Sequence, residues 1–308
     1  MSEIWGVLAA VLSSALGGTS IGATRFLVDA IDPLAIGSFR FGLGLLLLLP
    51  LALAQGTRWP PRQDWPAIAG LGLLFFAAFP ILFNASLIFT TAARGALALA
   101  TLPVLTMAVG ALLGSEPLTR RKTAGVLIAI CGVSIALLSG LATAPDGAWR
   151  GDLLMVAAAL CMALYSIWSK PFIRRSGPIP FTALAMAAGA AVLIALALLR
   201  NSFAPVAAFG PAQWFGVVYL GVFGSALTFY LWAFALARTT PTLVAISVTV
   251  NPVAASLVGA TLLDEPLRWN LVVGIVTVFA GICLATTRNA AAVYSTSSTL
   301  SGPPPKAF

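Results

Sequence analysis

The sequence predicts an all-α membrane protein of ten transmembrane helices arranged as two inverted five-helix repeats, and three observations predict it. The first is composition. Mean hydropathy is +1.01, 60% of the 308 residues are hydrophobic and 8% are charged, where a water-soluble domain is about a quarter charged. The second is the presence of ten apolar runs near the length of ~20 residues that a spanning helix needs. The third is a duplication. A shift of 149 residues sets Glu116, Pro117 and Leu118 on Glu265, Pro266 and Leu267, Gly125 and Gly132 on Gly274 and Gly281, and Pro103 on Pro252. Such self-similarity marks a repeated structural unit.

The runs follow in order. The first, 4–24, comes after one acidic residue without a basic n-region or a small-residue cleavage site, so it reads as a span and not as a cleaved leader. Its Gly18 and Gly22 have the GxxxG spacing of close helix packing, and the surrounding hydroxyls either line a polar path or bond back to their own helix. The second, 33–54, carries Arg40 about seven residues in, roughly 10 Å from the helix end at 1.5 Å per residue. That guanidinium either binds a carboxylate, or snorkels to the outer interface or pairs with Asp29 or Asp32. The third, 66–88, holds Phe75, Pro80 and Asn84. There, Phe76, Phe79 and Phe83 share one face at helical spacing, as an apolar pocket wall or as packing.

The fourth run, 92–113, contains Pro103, and the ninth, 240–262, contains Asn251 and Pro252. A proline within a span removes an N–H and releases the carbonyl four residues earlier, here Leu99 and Val248. Such prolines are either packing kinks whose freed carbonyls a neighbouring helix or water satisfies, or hinges that line a cavity, as their matching positions in both halves suggest, and Asn251 adds an amide that donates and accepts. The fifth and tenth runs, 122–141 and 269–287, each follow Glu-Pro-Leu, which reads as a helix start: a carboxylate suits the dipole there and a missing N–H costs nothing. The sixth, 152–172, ends with Tyr165, Trp168 and Lys170, and at that depth the lysine is expected to snorkel. The seventh is 180–199, and the eighth, 212–236, carries Tyr230 and Trp232, which divide between a cavity and the interfacial belt.

Five spans per half place the second half in the opposite orientation to the first. The expected units are 1–145 and 146–288, followed by a polar, Pro-rich tail, 289–308, expected to be disordered. With a cytoplasmic N-terminus, Arg58, Arg62, Arg120, Arg121, Lys122, Lys170, Arg174, Arg175, Arg238, Arg288 and Lys306 lie inside, against Arg25, Arg94, Arg150, Arg200 and Arg268 outside. Eleven against five places both termini in the cytoplasm. The net charge of +8 therefore orients the chain in a bilayer instead of implying nucleic acid. Cys131, Cys161 and Cys283 sit in apolar runs without CxxC spacing, as packing residues.

Inverted repeats related by an axis in the membrane plane recur among secondary transporters, where similar halves exchange shapes to open one site to either side. The chain has no His, which removes a Ser-His-Asp hydrolase and a His proton relay, and no P-loop, which removes ATP-driven pumping by this chain alone. All nine acidic residues fall at or beyond predicted helix ends, leaving no carboxylate at the bilayer centre to carry a proton. No enzyme, metal or cofactor is expected.

Paired Glu-Pro-Leu endings, each followed by a glycine-spaced helix, over about residues 4 to 287, resemble the EamA family of the drug/metabolite transporter superfamily. Tyr165, Lys170 and the stretch Leu102 to Thr106 are similar to YddG-type amino-acid exporters, from which the chain departs at Ala100 and Leu102, where those exporters carry aromatic residues. The resemblance implies a basket of helices around a central cavity with the fifth and tenth spans peripheral. It also implies an inner-membrane exporter of amino acids with broad selectivity, or of other small metabolites or drugs of the superfamily. A monomer is expected, with the bilayer and a small-molecule substrate as its partners. The substrate-binding candidates are Arg40, Phe79, Phe83, Asn84, Pro103, Tyr165, Tyr230, Asn251 and Pro252.

Overall fold

The computed structural model describes residues 2–28, 30–54, 59–90, 98–141, 146–251, 253–254 and 269–286. Regular structure among them is helical: α1 (Ser2–Val28), α2 (Pro33–Ala54), α3 (Trp65–Gly72), α4 (Phe79–Phe89), α5 (Leu102–Leu112), α6 (Arg120–Leu141), α7 (Ala148–Ser176), α8 (Pro178–Leu199), α9 (Pro211–Gly221), α10 (Thr228–Arg238), α11 (Pro241–Ser247) and α12 (Trp269–Thr286). A π-helical stretch, Leu73–Ala78, joins α3 to α4, and another, Val222–Leu227, joins α9 to α10. Five continuous helices are long and apolar enough to cross a membrane: Pro33–Ala54, Arg62–Ser86, Ala148–Ser176, Pro178–Leu199 and Pro211–Arg238. The shorter apolar helices Leu102–Leu112, Pro241–Val250 and Val272–Ala285 accompany them. Ile88, Leu112, Leu199 and Phe215 point outward, as side chains in contact with lipid would.

Local chemistry places the helix starts. Proline opens α2, α8, α9 and α11, where its absent N–H would have lacked a partner in any case. Asp32 accepts the Leu34 N–H at 2.8 Å at the head of α2, and the Thr240 hydroxyl accepts that of Leu243 at 3.4 Å at the head of α11. Gly177 alone separates α7 from α8; its φ of 86° is one a residue with a Cβ rarely adopts.

The duplication is visible as geometry. The two π-helical stretches are separated by the same 149 residues as the sequence repeat, and α4 and α10 both end in an extended threonine, Thr90 and Thr239. The halves interlock. The first π stretch lies on α8 and the second on α2, and at the equivalent positions Gly72 and Gly221 an added Cβ would run into the Ala185 carbonyl and the Leu43 side chain. Equivalent helices also pair head to tail. Gly37 of α2 faces Leu193 of α8 while Gly44 faces Met186, so position rises along one helix as it falls along the other.

The glycines of the twice-written passage meet in the same way. In the contact of α6 with α12, a Cβ on Gly125 would sit 2.7 Å from the Gly281 carbonyl, and one on Gly132 would sit 2.9 Å from that of Gly274. Backbones approach this closely only where both helices carry small residues.

The Glu-Pro-Leu motif itself behaves differently from the expectation. Helix α6 starts at Arg120, so Glu116 lies ahead of its first turn and does not open it. Glu116 is instead buried against the other half. Its carboxylate accepts hydrogen bonds from the hydroxyl and, at 3.4 Å, the backbone N–H of Thr242, in the first turn of α11, and lies 3.6 Å from Lys122 Nζ. The carboxylate does meet the positive end of a helix dipole, but the helix is α11 of the second half and not the α6 that its neighbours in sequence suggest. Glu265 and the tail, 289–308, lie outside the described residues.

Candidate functional site

The interior contact between the halves is built on the π stretches. A π turn spaces its hydrogen bonds at i→i+5, which loosens the carbonyls at its edges, and such turns occur frequently at functional sites. In Val222–Leu227, the Phe223 carbonyl accepts the Thr228 hydroxyl at 2.6 Å. The Gly224 carbonyl receives two donors from α2: Arg40 Nε at 3.0 Å and a terminal guanidinium nitrogen at 2.6 Å. Arg40 thus turns inward, across the boundary between halves. It does not snorkel, and Asp32 is engaged at the head of α2; Asp29 lies outside the described residues.

The guanidinium sits over the rings of Phe41 and Phe229, 5.5 and 5.9 Å from their centroids, within cation–π range. Phe229 is also edge-on to Phe75 and Phe76, at 5.3 and 5.0 Å. Tyr165, nearly fully buried, stacks on Phe75 with centroids 4.3 Å apart and planes 17° from parallel. Phe79 follows Phe75 at 5.4 Å, and Phe83 follows Phe79 at 5.8 Å. A continuous path therefore runs from the Arg40 cation through Phe229 and Phe75 to Tyr165, and it brings Arg40, Phe79, Phe83 and Tyr165 into one cluster.

The stripe expected at Phe76, Phe79 and Phe83 is corrected by the π turn. The extra residue per turn lets Phe75 and Phe76 both face inward, so the line along the helix is Phe75, Phe79, Phe83, while Phe76 turns to Phe41 and Phe229. Phe41, Phe229 and Gly224 were not singled out in the sequence, and Phe75 was named in the third run but left off its stripe. The available signal was the 149-residue register between "FFAAF" at Phe75 and "GSALT" at Gly224.

The remaining candidates lie elsewhere. Pro103 stands just after a break in the helix: Ala98 and Leu99 are helical, Ala100 and Thr101 form a turn, and α5 starts afresh with Pro103 in its first turn, while the Thr101 hydroxyl donates to the Ala98 carbonyl at 2.6 Å. On the matching stretch of the second half the chain tightens into a 3-10 turn, Val248–Val250. The Val248 carbonyl is not released, because it accepts the Asn251 N–H; Pro252 lies outside the described residues. Asn251 packs on Gly17 and Gly18 of α1, with its buried amide oxygen lacking a hydrogen-bond partner. Asn84 and Tyr230 are half-buried on α4 and α10, Tyr230 lying 6.0 Å from Phe234. Lys170 is half-buried, and its ammonium donates to the Thr239 carbonyl at 2.6 Å, at the end of α10 where a cation complements the dipole.

The hydroxyls of α1 bond partly to their own helix and partly to the second half. Thr19, Ser20 and Thr24 bond back to their own helix, whereas Ser13 donates to the Thr228 carbonyl at 2.7 Å and Ser14 pairs with Ser247 at 2.8 Å. Outside the aromatic cluster, a groove of about 850 Å³ runs between α3 and α7, lined by Ala67, Gly70, Leu74, Trp168 and Phe172. It is open and apolar, and contains none of the candidate residues.

The profile of the EamA-like transporter family matches residues 4–138 and again 149–287. An uncharacterized Pseudomonas aeruginosa protein is 32% identical over 88% of this chain and 90% of its own length. A Streptantibioticus cattleyicolor protein named a probable terminal-alkyne amino-acid exporter is 29% identical over 92% of this chain and 93% of its own. An Archaeoglobus fulgidus protein, 25% identical over 90% of this chain, is an uncharacterized transporter. A solved crystal structure with 22% identity superposes with a TM-score of 0.77 over 96% of this chain and 99% of its own, which establishes likeness of fold.

Proposed function

The chain belongs to the EamA-like transporter family, and from that premise we propose that it exports amino acids of broad selectivity, aromatic ones included, across the inner membrane by alternating access. The observation that carries the proposal is Arg40: a cation held inside an aromatic cluster, on a bond that joins the two halves. Such a cation is the anchor a carboxylate needs, and the neighbouring rings receive an apolar or aromatic side chain. The named function of the Streptantibioticus relative supports the same substrate class.

The frame suits the mechanism. Equivalent helices run antiparallel in both the α2–α8 and the α6–α12 pairs, as two inverted five-helix repeats require. Ten spans and two cytoplasmic termini complete the topology. On this reading Arg40, Phe79, Phe83 and Tyr165 contact substrate directly. Pro103, Asn251 and Pro252 belong to the segments that move, and Asn84 and Tyr230 come to line the cavity as it opens. Among the described residues the buried carboxylate is Glu116, and it is already engaged by Thr242 and Lys122. A lipophilic cation would find no partner of opposite charge in the cluster, which favours amino acids over drugs.

Counterflow tests the proposal. Proteoliposomes of purified protein, loaded with unlabelled threonine, methionine or phenylalanine, are expected to take up the same labelled amino acid transiently and saturably, with uptake reduced but still measurable in Arg40→Ala. No uptake of any amino acid by folded protein would refute the substrate class and leave the fold intact.

A further inference from the structure

The half-buried Arg40 guanidinium has an unusual partner for a cation within a span. Among the described residues it donates to one neutral backbone carbonyl, and two of its nitrogens converge on that one oxygen. Three features make this bond breakable by design. Arg40 belongs to the first half and Gly224 to the second, so any motion that separates the halves at this level must break it. The carbonyl belongs to a π stretch, whose backbone bonding is already looser than that of an α-helix. Small residues surround it: Gly224 and Ser225 face α1 and α2, with Ser20 against the one and Gly44 against the other.

Opening leaves two groups without partners, a half-buried guanidinium and a buried carbonyl. A ligand bearing only a carboxylate repairs the first and abandons the second. One bearing only an ammonium does the reverse. Each buried polar group left bare is costly, more so when it is charged. The ligand that repairs both carries an anionic acceptor and a cationic donor side by side, which describes the head of a free α-amino acid.

Resting on the amino-acid reading above, we propose that the Arg40–Gly224 bond is an internal stand-in for the zwitterionic head of the substrate. The substrate carboxylate takes the guanidinium, its ammonium donates to the vacated Gly224 carbonyl, and the side chain lies toward Phe75 and Tyr165. The site selects for a free carboxylate and a free ammonium on one carbon, and is lenient about the side chain that carbon bears. Recognition of a shared head with an aromatic, adaptable wall for the tail accounts for broad selectivity without a dedicated side-chain pocket.

The test is competition against labelled methionine counterflow in proteoliposomes of the full chain. Unlabelled methionine, N-acetylmethionine and methionine methyl ester are compared at equal concentration. Both derivatives are expected to compete at least tenfold more weakly than methionine. In Arg40→Lys, which keeps a cation, the ester penalty should persist. In Arg40→Met it should vanish, a change that mere loss of folded protein would not produce. N-acetylmethionine competing within threefold of methionine would overturn the role of the Gly224 carbonyl, and the ester competing within threefold would overturn that of Arg40. If neither variant folds, the comparison of derivatives on the unaltered protein decides alone. Absence of counterflow with methionine, threonine and phenylalanine would defeat the amino-acid reading itself, and this inference with it. Methionine counterflow with indifferent derivatives would defeat the inference only.

Discussion

Removing the Glu116 carboxylate should loosen the end of the molecule where the first half meets α11. Glu116 is 7% exposed and Thr242 fully buried, so little solvent screens their contact. In Glu116→Ala the Thr242 hydroxyl and N–H lose a charged acceptor, worth about 1.5–3 kcal/mol for a hydrogen bond to an ion. The hydroxyl is also left buried without a partner, at about 1 kcal/mol or more. Lys122 is 14% exposed and recovers water, so its share stays below about 1 kcal/mol. The expected loss is about 3 kcal/mol, or a fall in melting temperature near 6 °C at about 2 °C per kcal/mol for a chain of this size. Glu116→Gln keeps an acceptor without the charge and should lose about 1 kcal/mol. Thermal unfolding of purified protein in detergent reads both. The diagnostic experiment is the cycle with Thr242→Val: two residues 126 apart in sequence should couple by at least ~1 kcal/mol. If Glu116→Ala lies within ~0.5 kcal/mol of the unaltered protein, or adds to Thr242→Val without coupling, the carboxylate does not cap α11. It would then be the exposed helix start that its local sequence suggests.

The same assay checks three further expectations. Gly72→Ala should destabilise by about 1–3 kcal/mol because its Cβ meets the backbone carbonyl of Ala185, whereas Gly70→Ala, with nothing within 4 Å of the added carbon, should be nearly neutral. Gly132→Leu should lower the melting temperature by several degrees, because the side chain must enter the space taken by Val278 and the Gly274 carbonyl on α12. Tyr165→Ala should cost about 3–5 kcal/mol and abolish transport by emptying the stack on Phe75, while Tyr165→Phe, which keeps the ring, should melt within about 2 °C of the parent.

What the sequence made legible is what repeats or what lipid demands. The 149-residue shift also sets the two π stretches in register, but nothing in the sequence reveals that they are π, because one added residue per turn leaves no compositional mark. That is why the aromatic stripe was placed on Phe76 and not on Phe75. Gly125 and Gly132 marked the repeat in the sequence, but nothing there said that they would pack against their own equivalents, Gly274 and Gly281. Glu116 was assigned to the helix that follows it because capping rules are local, yet its ligand lies in the other half. Arg40 was recognised as chemically significant, but its partner is a backbone carbonyl, and no side chain identifies such a carbonyl in advance. Pro103 marked the break in the fourth run, but the apolar run passes through it unchanged, so the sequence did not show that a turn at Ala100 and Thr101 lets the helix begin afresh.

The frame is symmetric and its filling is not. The residue equivalent to Arg40 is Gly189, and Gly224, Ser225 and Thr228 correspond to Phe75, Phe76 and Phe79. Each substitution requires the other. Phe76 presses on the backbone of α8, so only glycine fits at 189, where a Cβ would also lie 2.9 Å from the Gly72 carbonyl. Across the repeat, Gly224 and Ser225 are small, and the space that phenylalanine rings fill in the first π stretch admits a guanidinium in the second. Equal backbones let the two halves exchange conformations at similar energy, which alternating access needs. Unequal side chains make one π stretch the polar end of the cluster and the other its aromatic end. On the proposed amino-acid reading, a substrate with a charged head and an apolar tail would keep its head with Arg40 and Gly224 and its tail with Phe75 and Tyr165.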